Sequence, residues 1–225
     1  MPRSDAGTIR ATERDMQLLR WIAEQYAIPI DQLAELIGAT EHAARRLMQR
    51  WKKAGWAEGR VLIVRERPLV WVTRRGLDDM GIDYRPWEPT LAKIEHIRAV
   101  NAVRLSLEAS RPNGIWTSER QLLKEQAQRQ RAAREKGLEP PKAHHLADGL
   151  WQIAADAVPT AVEVERSYKG TERTTQIMLH LVHTQKLKVA YFTTPTIKPH
   201  LEAIVSSRAD LAAHIRIYDI PRGEQ

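Results

Sequence analysis

Apolar residues recur at helical spacing in the first third of the chain. Thr12 and Asp15 have the spacing of a capping box, and a helix is predicted from there to about Ala27. Its predicted inward face comprises Met16, Leu19, Ile22, Ala23 and Tyr26. A second, short helix is predicted from Pro29 to Gly38, because proline suits a first helical turn and glycine a left-handed helix end.

A third helix and a hairpin follow. The helix is predicted after a cap at Thr40, and its inward face comprises Ala44, Leu47, Met48 and Trp51. Strands are predicted at 61–64 and 69–72, joined by a turn at 65–68. Two helices with a tight glycine turn, followed by a hairpin, indicate a winged helix-turn-helix domain over residues 1–84.

The outer side of the third predicted helix is polar and basic. Six of its residues are candidates for contacting DNA: His42, Arg45, Arg46, Gln49, Arg50 and Lys53. We expect this face to enter a major groove, and Arg65 and Arg67 of the hairpin to lie on phosphate or in the minor groove. The alternative is a solvated helix face in a winged-helix domain that binds protein.

The rest of the chain has a different pattern. Pro86 and Pro89 indicate a linker at 85–90. Strand-like and helical segments then alternate to the end, which predicts an α/β domain over residues 91–225. A polar helix is expected at 119–136, where Arg129 and Arg131 either track DNA phosphates or belong to a solvated arm.

Acidic residues on two neighbouring predicted strands suggest a metal site. Asp148 lies on one strand, and Glu163 and Glu165 alternate with apolar residues on the next, so both glutamates face the same side. Lys169 shares that side if the strand continues. Such oxygen ligands suit Mg²⁺, which could activate water for phosphodiester cleavage. The alternative is a pair of solvated or salt-bridged glutamates.

Composition narrows the function classes. The chain has no cysteine, which excludes thiolate metal sites and cysteine nucleophiles, and its net charge of +7 favours a polyanionic partner. No apolar run has the length of a membrane span and no signal peptide is evident at the N-terminus, so we expect a cytoplasmic protein without a membrane partner.

These motifs resemble two known groups. Asp148-Gly149, the Glu163-x-Glu165 motif and a downstream lysine resemble the PD-(D/E)XK nuclease-like superfamily. A winged helix ahead of that core resembles the replication-relaxation family of plasmids and other mobile elements. The resemblance extends over Thr12–Gly81, His96–Leu107, Trp116–Arg120, Asp148-Gly149 and Glu163–Lys169.

The resemblance implies a fold and two classes of function. The expected fold is α+β and α/β, with a winged helix-turn-helix followed by a restriction-endonuclease-like mixed sheet flanked by helices. Asp148 and Glu163 match metal-binding acids, Glu119 matches an acid from a preceding helix, and Glu165 stands where a catalytic lysine is usual. This departure favours a binding protein.

In the binding class, the chain is a repressor or a replication or transfer accessory of a mobile element. It binds double-stranded DNA without a cofactor, and self-association or binding to replication or transfer proteins remains open. In the enzyme class, Asp148, Glu163 and Glu165 hold Mg²⁺, Lys169 assists, and the chain cuts or nicks DNA.

Overall fold

Two sheets organise the part of the chain that the structure, a computed structural model, describes: residues 9–221. Within these residues the protein is mixed α and β, with a small three-stranded sheet and a five-stranded mixed sheet. The chain divides into two compact units, Met1–Asn101 and Ala102–Gln225. The division falls inside a helix, and the prolines of 85–90 lie ahead of it in a segment without helix or strand.

The first unit contains helices that the sequence pattern largely predicts. They are α1 (Glu13–Glu24), α2 (Ile30–Leu36), α3 (Glu41–Ala54), α4 (Arg74–Asp79) and the first half of α5 (Leu91–Ser110). The predicted capping box of α1 is confirmed, because the side chains of Thr12 and Asp15 each accept from the other residue's backbone N–H. Gly38 has the predicted left-handed conformation, with a φ of 63°.

The phase and end of α1 differ from the prediction. Met16, predicted to face inward, is 42% exposed, whereas Leu19 and Ile22 are fully buried. The helix ends at Glu24, and Tyr26 takes a positive φ of 70° just beyond it. The chain then forms a two-residue strand before α2, so the apolar pattern beyond Glu24 belongs to a turn and a strand rather than to α1.

The first hairpin strand was predicted in the wrong place. The antiparallel sheet has the order β1-β3-β2, and its members are β1 (Ile28–Pro29), β2 (Ala57–Arg60) and β3 (Leu69–Val72). The apolar run at 61–64 is loop instead: Leu62 and Ile63 pack against a core that includes Trp71 and Ile94, and Val64 is 86% exposed. Leu62 and Ile63 are therefore apolar because they pack in a loop, not because they pair in a strand.

The second unit is built on a mixed sheet in chain order. Its strands are β4 (Ile115–Ser118), β5 (Gly149–Gln152), β6 (Thr160–Glu165), β7 (Lys188–Thr193) and β8 (Ile215–Asp219). The pairs β4–β5 and β5–β6 are antiparallel, and β6–β7 and β7–β8 are parallel. The predicted alternation of strands and helices in this half is confirmed, although the strand predicted to include Asp148 begins only at Gly149. The sheet changes from antiparallel to parallel pairing at β6.

Helices connect these strands. They are α6 (Glu119–Glu135), α7 (Thr171–Leu179), which continues as a π-helical turn (His180–Thr184), α8 (Lys198–Ser206) and α9 (Ala209–Ala212). Ala161, Val189 and Tyr191 share a buried core with side chains of α7 and α8. Because strand residues alternate, Glu163 and Glu165 lie on this same helix-covered face.

Candidate functional site

Helix α3 is fixed in the first unit by its apolar side. Ala44, Met48 and Trp51 are buried, the Thr40 hydroxyl caps the N-terminus by accepting from the Ala43 N–H at 3.3 Å, and Gly55 ends the helix with a φ of 77°. The sequence therefore determines which side of α3 faces the core and which side is left for solvent.

Four polar residues form a stripe along the exposed side of α3, which we call the α3 stripe. Its members are His42, Arg46, Gln49 and Lys53. Their spacing of four, three and four residues keeps them on one narrow face of an α-helix. Within residues 9–221, all four side chains are exposed and none makes an ion pair or hydrogen bond inside the protein. These donors are available to an external partner.

Two neighbouring arginines of α3 are engaged inside the protein instead. Arg45 pairs with Glu41 one turn earlier, at 3.3 Å between Nη2 and Oε2. Arg50 donates through Nη2 to Oδ1 of Asp15 on α1. The six basic and polar residues predicted to contact DNA thus separate into four that are free and two that are paired within the protein.

Asp15 joins α1 to α3 through a buried carboxylate. Besides Arg50, it accepts from the Trp51 indole N–H at 2.8 Å and from the backbone N–H and hydroxyl of Thr12. Burial raises the pKa of Asp15, but the hydrogen bonds from Thr12 and Trp51 and the charge of Arg50 outweigh it, so the pKa is lowered overall. The carboxylate is therefore ionised, and Arg50 is part of what keeps it so.

The loop between β2 and β3 is held at both ends. Leu62 and Ile63 pack on the core of the first unit, and the Arg67 Nε lies 2.6 Å from Oε1 of Glu41. The tip is a tight turn in which the Glu66 N–H donates to the Ile63 carbonyl. Arg65 lies at this tip, exposed to solvent and with a φ of 68°.

The arginines predicted on the polar helix are exposed and paired. On α6, Arg129 lies 3.9 Å from Glu125, and Arg131 lies 3.0 Å from Glu135. Both are i, i+4 pairs with exposed side chains, which contribute little to stability and are easily exchanged for another anion.

The acidic residues of the second unit lie at the start of β5 and along β6. Asp148 directly precedes β5, and its Oδ2 accepts from the Val164 N–H of β6 at 2.7 Å. Glu163 and Glu165 are only 4% and 5% exposed. Asp148, predicted to lie on a strand, is therefore just outside β5, whereas Glu163 and Glu165 lie on β6 as predicted and are buried rather than solvated.

Glu163 is paired with a histidine that sequence reasoning did not select. His145 Nε2 lies 2.8 Å from Glu163 Oε1. Burial raises the pKa of Glu163, and so does the charge of Asp148, whereas the hydrogen bond with His145 lowers it; the net result is a rise from 4.5 to about 7. The same hydrogen bond raises the pKa of His145. The pair therefore holds a proton at neutral pH.

Glu165 is paired with the predicted lysine. Lys169 lies beyond the end of β6, yet its Nζ reaches to 2.7 Å from Glu165 Oε2. The side chain of Glu165 is 6% exposed and that of Lys169 is 32% exposed, so the ammonium group reaches from the surface to a buried carboxylate. Lys169 was expected on the side of the two glutamates if the strand continued, but the strand stops at Glu165, and Lys169 reaches that residue from the segment beyond it.

Tyr191 is a second residue that the sequence did not reveal. It pairs in register with Glu163 across β6 and β7, it is 1% exposed, and its hydroxyl has no hydrogen-bond partner in the described part of the chain. Burial and the charges of Glu163, Glu165 and Asp148 raise its pKa well above the ordinary value. Strand register placed it here, and register cannot be read from one strand's sequence.

The carboxylates do not form a ready metal-binding set. Within residues 9–221, no three His, Asp or Glu side chains are close enough together to hold a metal ion. His145 and Lys169 occupy oxygens that a cation would need. The backbone N–H of Glu119, at the start of α6, donates to the backbone carbonyl of Asp148 at 3.2 Å. Mg²⁺ could bind here only if His145 and Lys169 left the glutamate oxygens.

Comparisons with protein-family models, curated proteins and solved structures found no match. The resemblance to replication-relaxation proteins therefore stays a prediction from the sequence. Of the helices that the structure describes, none has both the length and the apolar character needed to cross a membrane.

Proposed function

We propose that the protein binds double-stranded DNA in a sequence-specific manner through its first unit. In this proposal, α2 and α3 form a helix-turn-helix, the β2–β3 hairpin is the wing, and α3 enters the major groove. The observation that supports it is the α3 stripe: Arg46, Gln49 and Lys53 follow His42 on one exposed face and have no partner among the described residues.

The chemistry of the stripe suits base edges and phosphates. Arginine donates two hydrogen bonds to guanine, glutamine both donates to and accepts from adenine, and lysine neutralises phosphate. In this proposal Arg65, at the exposed tip of the wing, contacts phosphate or the minor groove. Net charge supports the same partner class, since the chain carries +7 at neutral pH.

For the second unit we propose a nuclease-like domain that has no catalytic activity and adds contacts to DNA or to partner proteins. Arg129 and Arg131 of α6 are the candidates for phosphate contacts. Together with the sequence resemblance, this suggests a repressor or a replication or transfer accessory of a mobile element.

Base-specific binding by α3 can be tested by comparing two neighbouring arginines of this helix, of which only one is paired within the described part of the chain. After a preferred duplex is selected from a random pool, Arg46→Ala should cost about 1 to 3 kcal/mol on that duplex and relax base preference. Arg45→Ala is the matched control. It also removes one positive charge, at the neighbouring position, but the side chain that it removes is already paired with Glu41. Equal losses in both variants, or no salt-dependent binding by the wild type to any duplex, would refute the proposal.

A second candidate function is DNA cleavage with Mg²⁺. The observation in its favour is Lys169, whose ammonium group lies against Glu165 beside the position expected for a catalytic lysine. Incubating supercoiled plasmid with the wild type and Glu163→Gln in Mg²⁺ or Mn²⁺ distinguishes the two candidates. Metal-dependent nicking that is lost in Glu163→Gln supports the nuclease, whereas intact plasmid supports a binding role.

A further inference from the structure

Glu41 is an acidic residue within an otherwise basic surface. It is the first residue of α3 and the only acid between residues 41 and 53, a segment with five arginines and lysines. An acid on a surface that faces DNA would repel phosphate, so its presence beside the α3 stripe needs a physical reason.

Both oxygens of the Glu41 carboxylate are used. Oε2 lies 3.3 Å from Arg45 Nη2 on the same helix, and Oε1 lies 2.6 Å from Arg67 Nε in the wing loop. One carboxylate thereby holds two arginines that the sequence suggested as DNA contacts, and it ties the wing to α3. The hydrogen bond from Arg67 is the largest effect that lowers the pKa of Glu41, which is therefore ionised at neutral pH.

Fold stability does not account for this arrangement. The side chains of Arg45 and Arg67 are 46% and 53% exposed, and ion pairs of such exposure contribute little to stability. Their effect on DNA binding is larger. One additional phosphate contact steepens the dependence of log affinity on log salt by about 0.9, which amounts to about 15-fold in affinity between 1 M and 50 mM salt.

We propose that Glu41 is a specificity-determining residue that limits non-specific DNA binding by keeping Arg45 and Arg67 away from phosphate. This inference rests on the proposed DNA-binding function. Phosphate contacts strengthen binding to every sequence equally, so arginines that are neutralised within the protein leave the α3 stripe to discriminate between sequences. Arg67 then positions the wing, and Arg65 alone contacts DNA from its tip.

The test compares salt dependence in the full chain. Glu41→Gln keeps the side-chain shape and Glu41→Ala removes it, and both should bind random-sequence duplex about 10-fold or more tightly at about 50 mM salt, with a slope steeper by about one to two units. The ratio of specific to non-specific affinity should fall. Asp78→Asn is the matched control, because it removes one negative charge from an exposed residue of α4 that has no ion pair in the described part of the chain.

Adding Arg45→Gln and Arg67→Gln to the Glu41→Gln variant should return the slope to the wild-type value. A folded Glu41→Gln variant whose slope matches that of Asp78→Asn overturns the inference, as does weaker binding with an unchanged slope, which is what a purely structural role would produce. Either result leaves the DNA-binding function intact, provided that the wild type binds with a salt-dependent affinity. Absence of that binding refutes the proposed function itself.

Discussion

The pairing of Arg50 with Asp15 predicts that this arginine stabilises the fold and does not contact bases. Arg50→Ala removes a charge-assisted hydrogen bond to a carboxylate that is 1% exposed. Such bonds contribute about 1.5 to 3 kcal/mol, and Asp15 retains its donors from Thr12 and Trp51. We therefore expect Arg50→Ala to lower the free energy of unfolding by about 2 kcal/mol, near the lower end of that range.

Asp15→Ala should cost more, because it affects several groups at once. It leaves the buried Trp51 indole N–H without its acceptor, at about 1 to 3 kcal/mol. It also removes the capping box of α1, at about 1 kcal/mol, and the bond with Arg50. The expected total is about 4 to 6 kcal/mol, which overlaps the range of about 3 to 5 kcal/mol found when one partner of a buried ion pair is removed.

Urea denaturation followed by far-ultraviolet circular dichroism measures both costs, and the double variant measures their coupling. Because the two side chains share one interaction, the double variant should lose about 1 to 2 kcal/mol less than the sum of the single variants. DNA affinity of folded Arg50→Ala should stay close to that of the wild type. An Arg50→Ala variant with wild-type stability and lost DNA binding would refute this reasoning and return Arg50 to the DNA-contacting set.

Two further predictions concern the buried acids of the second unit. The pKa of Glu163 is about 7 in the folded protein and ordinarily 4.5, so between these pH values the folded protein retains a proton that the unfolded chain releases. The free energy of unfolding should therefore fall as the pH rises from 4.5 to about 7. Glu163→Gln should flatten this fall in urea titrations at several pH values, and an unchanged pH slope would contradict the assignment. Lys169→Ala leaves the carboxylate of Glu165 buried without its cation and should lower the free energy of unfolding by about 3 kcal/mol. Lys169→Arg keeps a positive charge and should retain most of that stability. Wild-type stability in Lys169→Ala would show that Glu165 has another partner.

The regular elements could be predicted because their signals are local. The capping box at Thr12, the left-handed glycine at Gly38 and the apolar side of α3 depend on residues within one or two turns of each other. The strands of the second unit followed from apolar alternation in the same way. The first hairpin strand could not be placed correctly from the sequence. The apolar residues Leu62 and Ile63 pack in a loop, and the segment that pairs with β3 is Ala57–Arg60, whose residues have a lower strand propensity.

The candidate sites were predicted in residue type but not in partnership. Sequence placed Glu163, Glu165 and Lys169 on one side, as the structure has them, yet His145 and Tyr191 reach the same cluster only through strand order and register. A single sequence does not specify register, because it depends on how two distant strands align.

The sequence by itself determined most of the helices and strands, and which side of α3 is polar, because helix and strand periodicity are properties of neighbouring residues. Only the tertiary structure decided which charges are free. Arg46 and Arg50 are alike in sequence context, but α1 brings Asp15 against one and leaves the other exposed. Charge pairing depends on contacts between residues far apart in the chain, and those contacts exist only after the helices have packed.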